Sequence, residues 1–305
     1  MRRVLGLKKT SLVWLLLGFI WGSTWLFIKL GLEDLPPFLF AGLRFVIASA
    51  FLWAILGMRR VHLPRVSRDW AVMVATGLLT FSVDYGLIYW GENHIPAGLT
   101  SILFSTLPLF VLLLAHVFLP GERMTRWNLG GILVGLVGVT LIFFKQLQFS
   151  DPLVFWGSLA VLGAALAAAI SSVLVRRFAQ HLDPMILTTI QMTVGCIPLV
   201  IVGLGLEGSP THFHWTAMAW TSLLYMAVIG SALAFVLLYW LLKQVGPVRT
   251  GLIIPFTTVV AVLLGVIVLG EAFTWRTGVG GALVLVGLLV ATRKTPTRDG
   301  ASYCA

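Results

Sequence analysis

Residues 121–138 read GERMTRWNLGGILVGLVG, and residues 270–287 read GEAFTWRTGVGGALVLVG. The two stretches share a Gly-Glu pair, a threonine three residues later and two glycines seven apart, all at a constant offset of 149. Working outward, Tyr89-Trp90 matches Tyr239-Trp240 at an offset of 150. Pro37, seven residues before Arg44, matches Pro184, seven before Gln191, at 147. The chain therefore reads as two copies of one unit, each carrying five apolar runs. A unit with an odd number of membrane crossings sits upside down relative to its twin. Inverted repeats of this kind build alternating-access transporters, with the binding site near the membrane midplane between the halves.

Composition supports the membrane reading. Of 305 residues, 59% are hydrophobic and only 10% charged, and the mean hydropathy is +0.99. Ordinary soluble domains have about 45–50% apolar and about 25% charged residues, so too few polar groups remain here to cover a water-facing surface. A bilayer turns that apolar surface into the outside. It also requires helices, because lipid offers no water to open backbone groups, and each crossing needs about 20 apolar residues. Ten spans are expected near 12–32, 38–57, 70–90, 96–118, 127–144, 153–175, 184–204, 216–241, 248–268 and 275–292. Residues 12–144 form the first five-helix repeat and 153–292 the second, with 1–11 and 293–305 as tails.

The net charge of +10 points to topology rather than nucleic acid. With the N-terminus in the cytoplasm, 17 lysines and arginines fall on the cytoplasmic side and only Lys145 and Arg276 on the other. That asymmetry is the positive-inside signature, and it puts both termini in the cytoplasm of a multi-pass protein of the plasma (inner) membrane. The loops are short and leave no room for a soluble catalytic domain. Cys196 and Cys304 suggest neither a disulfide framework nor a metal site. No cofactor motif and no metal cluster is present, so none is expected.

Pro108 and Pro255 fall inside spans four and nine. Each frees a backbone carbonyl and is a candidate kink or gating point. Gly131, Gly135 and Gly138 form a small-residue face on span five, repeated by Gly280 and Gly287 on span ten. Such faces allow close helix approach within one molecule or between two, so either a monomer or a homodimer is compatible. Spans one to four and six to nine are left to line a pathway.

Trp21-Gly22-Ser23, Pro36-Pro37, Arg44 and the twice-occurring Gly-Glu-x-x-Thr turn with its glycine face resemble the EamA-type transporters of the drug/metabolite transporter superfamily. The likeness covers about residues 12–292. It implies ten helices, a cavity shared by two halves and movement of small metabolites. Its better-known members mostly export amino acids, related metabolites or toxic compounds, so export of an amino acid or drug-like compound is the expected activity.

Ionisable residues at membrane depth are costly and are functional candidates by default. Arg44 and Asp84 each lie six residues from the same membrane face, which at 1.5 Å per residue is roughly 9 Å deep. Arg44 is read as a carboxylate-binding group, and Asp84 as its partner, an amine ligand or the proton-coupling residue. The alternative is a permanent ion pair locking span two to span three. Asp84 is read as the only acid within any span, and Lys29 as snorkelling to the interface. By the repeat, Arg44 corresponds to Gln191 and Asp84 to Ala234, so the charges occur in one half only. Trp21, Tyr85, Tyr89 and Tyr239 are candidates to stack on substrate, and Ser23, Thr24, Ser101 and Gln191 to hydrogen-bond it. Glu122 and Glu271 are read as complementing the dipoles of helices five and ten.

Partners are thus a small-molecule substrate, the lipid bilayer and, as a candidate coupling ion, the proton. An uncoupled facilitator is the nearest alternative. A membrane enzyme lacks a nucleophile–base set, and a channel lacks charge rings or a filter loop.

Overall fold

The structure is a computed structural model that describes residues 2–59, 63–119, 124–146, 152–238, 240–241, 244 and 253–291. Among these residues there is helix and no strand. Seven helices are long and apolar enough to cross a membrane. They are α1 (Arg2–Gly31), α2 (Pro37–Arg59), α3 (Ser67–His94), α4 (Ala97–Phe118), α6 (Pro152–Phe178), α7 (Pro184–Leu206) and α8 (Ala217–Leu238). Three further apolar helices are α5 (Arg126–Gln146), α9 (Ile253–Leu269) and α10 (Trp275–Ala291).

Local sequence sets the helix starts. At α7, Asp183 accepts from the amides of Met185 and Ile186 while Pro184 occupies the first turn, where its missing N–H costs nothing. The start of α2 is capped from afar, because the Glu207 carboxylate accepts from the amides of Phe38 and Leu39, both at 2.8 Å. Desolvation pushes the Glu207 carboxyl up from its ordinary range, and these two amides oppose that shift.

Two helices depart from α-geometry at corresponding places. Residues Leu78–Asp84 of α3 and Tyr225–Leu233 of α8 wind as π-helix. The wider turn re-aims the side chains that follow it, a device common at functional sites. A different irregularity breaks α4 at Ser105 and Thr106, just before Pro108. There the Ser105 and Thr106 hydroxyls donate to the carbonyls of Ser101 and Leu103. Pro255 is the third residue of α9 as described.

The helices pair across the two halves. The dominant pairs are α5 with α10, α2 with α7, α1 with α9, and α4 and the C-terminal part of α3 with α6. Exchanging α1–α5 for α6–α10 maps this set onto itself: α1–α9 becomes α6–α4, and α3–α6 becomes α8–α1, which also touch. Glycine makes the tightest contacts possible. A Cβ on Gly138 would lie 2.5 Å from the Gly280 carbonyl, and one on Gly287 would lie 2.5 Å from the Gly131 carbonyl. The glycine faces of α5 and α10 therefore meet each other inside one chain. Gly77 of α3 is pressed in the same way against the Gln191 backbone of α7, at 2.8 Å.

Candidate functional site

Between the halves lies a cavity of about 360 Å³. It is walled by residues of α1, α2, α3, α4, α6, α8 and α9, and α5 and α10 contribute nothing to it. α7 contributes no lining residue either, against the expectation that it would. The walls are mostly aromatic and aliphatic, including Trp21, Trp25, Tyr85, Phe104 and Phe235, with hydroxyls from Thr24, Thr80, Ser101, Ser105, Thr257 and Thr258. Two charged side chains reach it, Arg44 and Asp84.

Arg44 is 2% exposed. Its Nε donates to Ser231 Oγ of α8 at 2.9 Å, and its Nη1 donates to the Tyr89 hydroxyl at 3.1 Å. Its guanidinium carbon lies 4.9 Å from the Phe45 ring centre and 5.0 Å from that of Tyr85, within cation–π range. Asp84 ends the π-helical segment and is equally buried, and its Oδ1 has no hydrogen-bond partner. The expected Arg44–Asp84 ion pair does not form. Tyr89 and Ser231 hold the guanidinium instead, and Asp84 lines the cavity with its Oδ1 lacking a donor.

The cavity brings together Trp21, Thr24, Arg44, Asp84, Tyr85 and Ser101 of the candidates from sequence. Tyr89 is fully buried, does not line the cavity, and accepts from Arg44 Nη1. Ser23 turns away, donating to the Ile20 carbonyl and sharing a 2.6 Å hydrogen bond with Tyr225. Gln191 points to α3, where its Nε2 donates to Thr76 Oγ1 at 2.7 Å. Tyr239 lies outside the described residues. Trp25, Phe235, Thr257 and Thr258 line the cavity without having been singled out. Helical spacing was the available signal, since Trp25 follows Trp21 by one turn and Ile254, Thr257 and Thr258 share one face of α9.

Sequence reading also missed a further buried acid. Glu92 is 0% exposed, because α3 continues past the apolar run to His94. Neither of its carboxylate oxygens has a hydrogen-bond partner. Lys29 is partly buried and donates to the backbone carbonyls of Glu92 (2.6 Å) and Ile95 (3.0 Å) at the end of α3. Glu271 does not serve its own helix either. Its two carboxylate oxygens accept from the amides of Ala97 and Gly98, so it caps α4. Glu122 lies outside the described residues.

A bundle of apolar helices whose lipid-length segments enclose a cavity holding two buried charges is a multi-pass membrane protein. Comparison with known sequences gives its lineage. The profile of the EamA-like transporter family matches residues 8–144 and again 155–293. The chain belongs to this family, and it is a membrane transporter. It is 30% identical over 273 residues to the uncharacterized transporter YoaV of Bacillus subtilis, covering 90% of this chain and 93% of that one. It is 29% identical to the uncharacterized inner membrane transporter YedA of Escherichia coli, covering 84% and 81%. A solved crystal structure matches with a TM-score of 0.64 over 93% of this chain and 97% of that one, and at 22% identity this likeness concerns the fold alone.

Proposed function

We propose that this chain is a secondary transporter of the plasma (inner) membrane that exports a small metabolite, such as an amino acid or a drug-like compound, by alternating access. In this reading ten crossings form two inverted repeats, 12–144 and 153–292, with both termini cytoplasmic. The self-consistent exchange of helix pairs between halves, the matched π-helical segments and the one-sided distribution of lysine and arginine support that arrangement. The Escherichia coli relative YedA is named an inner membrane transporter, which supports the choice of membrane.

The observation that carries the proposal is the cavity itself, lined by helices of both halves and holding Arg44 together with Asp84, whose Oδ1 has no hydrogen-bond partner. Arg44 supplies positive charge for a carboxylate. Asp84 binds a substrate amine or a proton, since a buried carboxylate oxygen without a donor needs one or the other. The aromatic walls accept an apolar side chain by area and stacking.

The test is uptake into proteoliposomes of amino acids and cationic drugs, with and without a pH gradient, for the wild type and Asp84→Asn. Gradient-dependent uptake that disappears in Asp84→Asn is expected. Uptake indifferent to both makes the protein an uncoupled facilitator.

A further inference from the structure

Three cavity-lining residues mark the edge of the site toward the end of the bundle that carries residues 32–36 and 95–96. These are Ile28 of α1, Ile88 of α3 and Ser101 of α4. Immediately beyond them, on each helix, lies a charged or charge-bearing contact. Lys29 follows Ile28. Glu92 is one turn past Ile88, on the same face of α3. Gly98, one turn before Ser101, gives its amide to Glu271 at 3.0 Å. The residues form a single layer. Lys29 holds the last carbonyls of α3, Glu271 holds the first amides of α4, and Lys29 lies in the field of both Glu92 and Glu271.

We infer that Lys29, Glu92 and Glu271 form an ionic latch that closes this end of the cavity and must open in each transport cycle. Two features distinguish it from a fixed structural tie. First, through Glu271 it joins the halves at the point where alternating access requires them to part, because Glu271 belongs to the α9–α10 turn and its amide donors to α4. The contact is also close: Gly265, with no side chain, lets the Glu271 carboxylate sit between α9 and α4. Second, the latch is incompletely satisfied. Glu92 is fully enclosed with both carboxylate oxygens unpartnered, while the ammonium of Lys29 rests on carbonyls next to it. An unpaired buried carboxylate beside a cation that can reach it provides two alternative arrangements of similar contacts, which is what a switching element needs. A purely structural cap would satisfy its own acid.

This inference rests on the alternating-access reading of the same cavity. Its test is therefore independent of any transported substrate. Thr24→Cys, which lines the cavity, serves as reporter in a background with Cys196→Ser and Cys304→Ser. A membrane-impermeant maleimide is applied from the membrane face that carries residues 32–36. Lys29→Met removes the charge and keeps the stem, and it should raise the labelling rate at least about fivefold, the effect expected when charged hydrogen bonds favouring one of two states are lost. Glu92→Gln, isosteric, should raise it about twofold to threefold, and Lys29→Arg should restore the slow rate. Unchanged labelling in both Lys29→Met and Glu92→Gln, on protein that purifies monodisperse, overturns the latch. If Lys29→Met does not fold, Glu92→Gln decides alone. Transport that fails in wild type while labelling responds as expected sinks the substrate reading and leaves the latch standing.

Discussion

The two halves of this transporter share a backbone plan and differ in chemistry. Arg44 on α2 faces the cavity, whereas its counterpart Gln191 on α7 is turned into the packing between α7 and α3. Asp84 closes the π-helical segment of α3 and faces the cavity, whereas Ala234 directly follows the corresponding segment of α8 and is buried among Leu17, Ile20, Leu241 and Ile253. The irregular winding was thus kept in both copies, and the charge in only one. The second half instead supplies Ser231, which holds Arg44 from across the interface. A site built this way is lopsided. One half presents the ionic groups and the other orients them and completes the apolar wall.

Making the halves alike is the harshest test. Ala234→Asp would place in α8 the acid that α3 carries, but its surroundings are apolar and it is 0% exposed. An unpaired carboxylate there costs several kcal/mol. The expected outcome is loss of monodisperse protein on size exclusion in detergent. A well-folded Ala234→Asp would show that α8 can open a polar path to this position, and the comparison would break.

The converse substitution, Arg44→Gln, gives the first half the residue of the second. It removes the guanidinium from Ser231, Tyr89 and the faces of Phe45 and Tyr85. Truncating a buried, hydrogen-bonded charge costs about 2–5 kcal/mol where it meets a charged ligand. Substrate affinity in a scintillation proximity or uptake assay should fall at least about 30-fold, the lower end of that range. An unchanged affinity would make Arg44 a packing residue, and the ionic half would then rest on Asp84 alone.

Much of this was readable in the chain. Long apolar runs, the offset repeats and the glycine faces lead directly to the helices and to the α5–α10 seam, because those signals concern position along a helix. Arg44 and Asp84, the two charged residues picked out within spans, both reach one cavity. Rotation about the helix axis was not readable. Gln191 occupies the repeat position of Arg44, yet the tight contact of Gly77 on the α7 backbone turns it toward Thr76. The π-helical turns shift every following side chain, and no residue type announces them. Glu92 was missed because its helix outlasts its apolar run. Glu271 was assigned to the wrong helix because capping across the bundle leaves no mark in local sequence.

The smallest effect tests the scaffold role of the second half. Gln191 is 6% exposed and donates to a Thr76 hydroxyl that itself donates back to the Val72 carbonyl. Gln191→Ala removes the donor and leaves Thr76 Oγ1 without it, at a cost of about 1 kcal/mol typical of one neutral hydrogen bond. The cavity is untouched, since neither Gln191 nor Thr76 lines it. A modest drop in thermal midpoint with wild-type KM for uptake is therefore expected. A rise in KM without loss of stability would bring Gln191 into the transport path in some other state of the cycle, so that both halves contribute polar contacts to substrate at different moments.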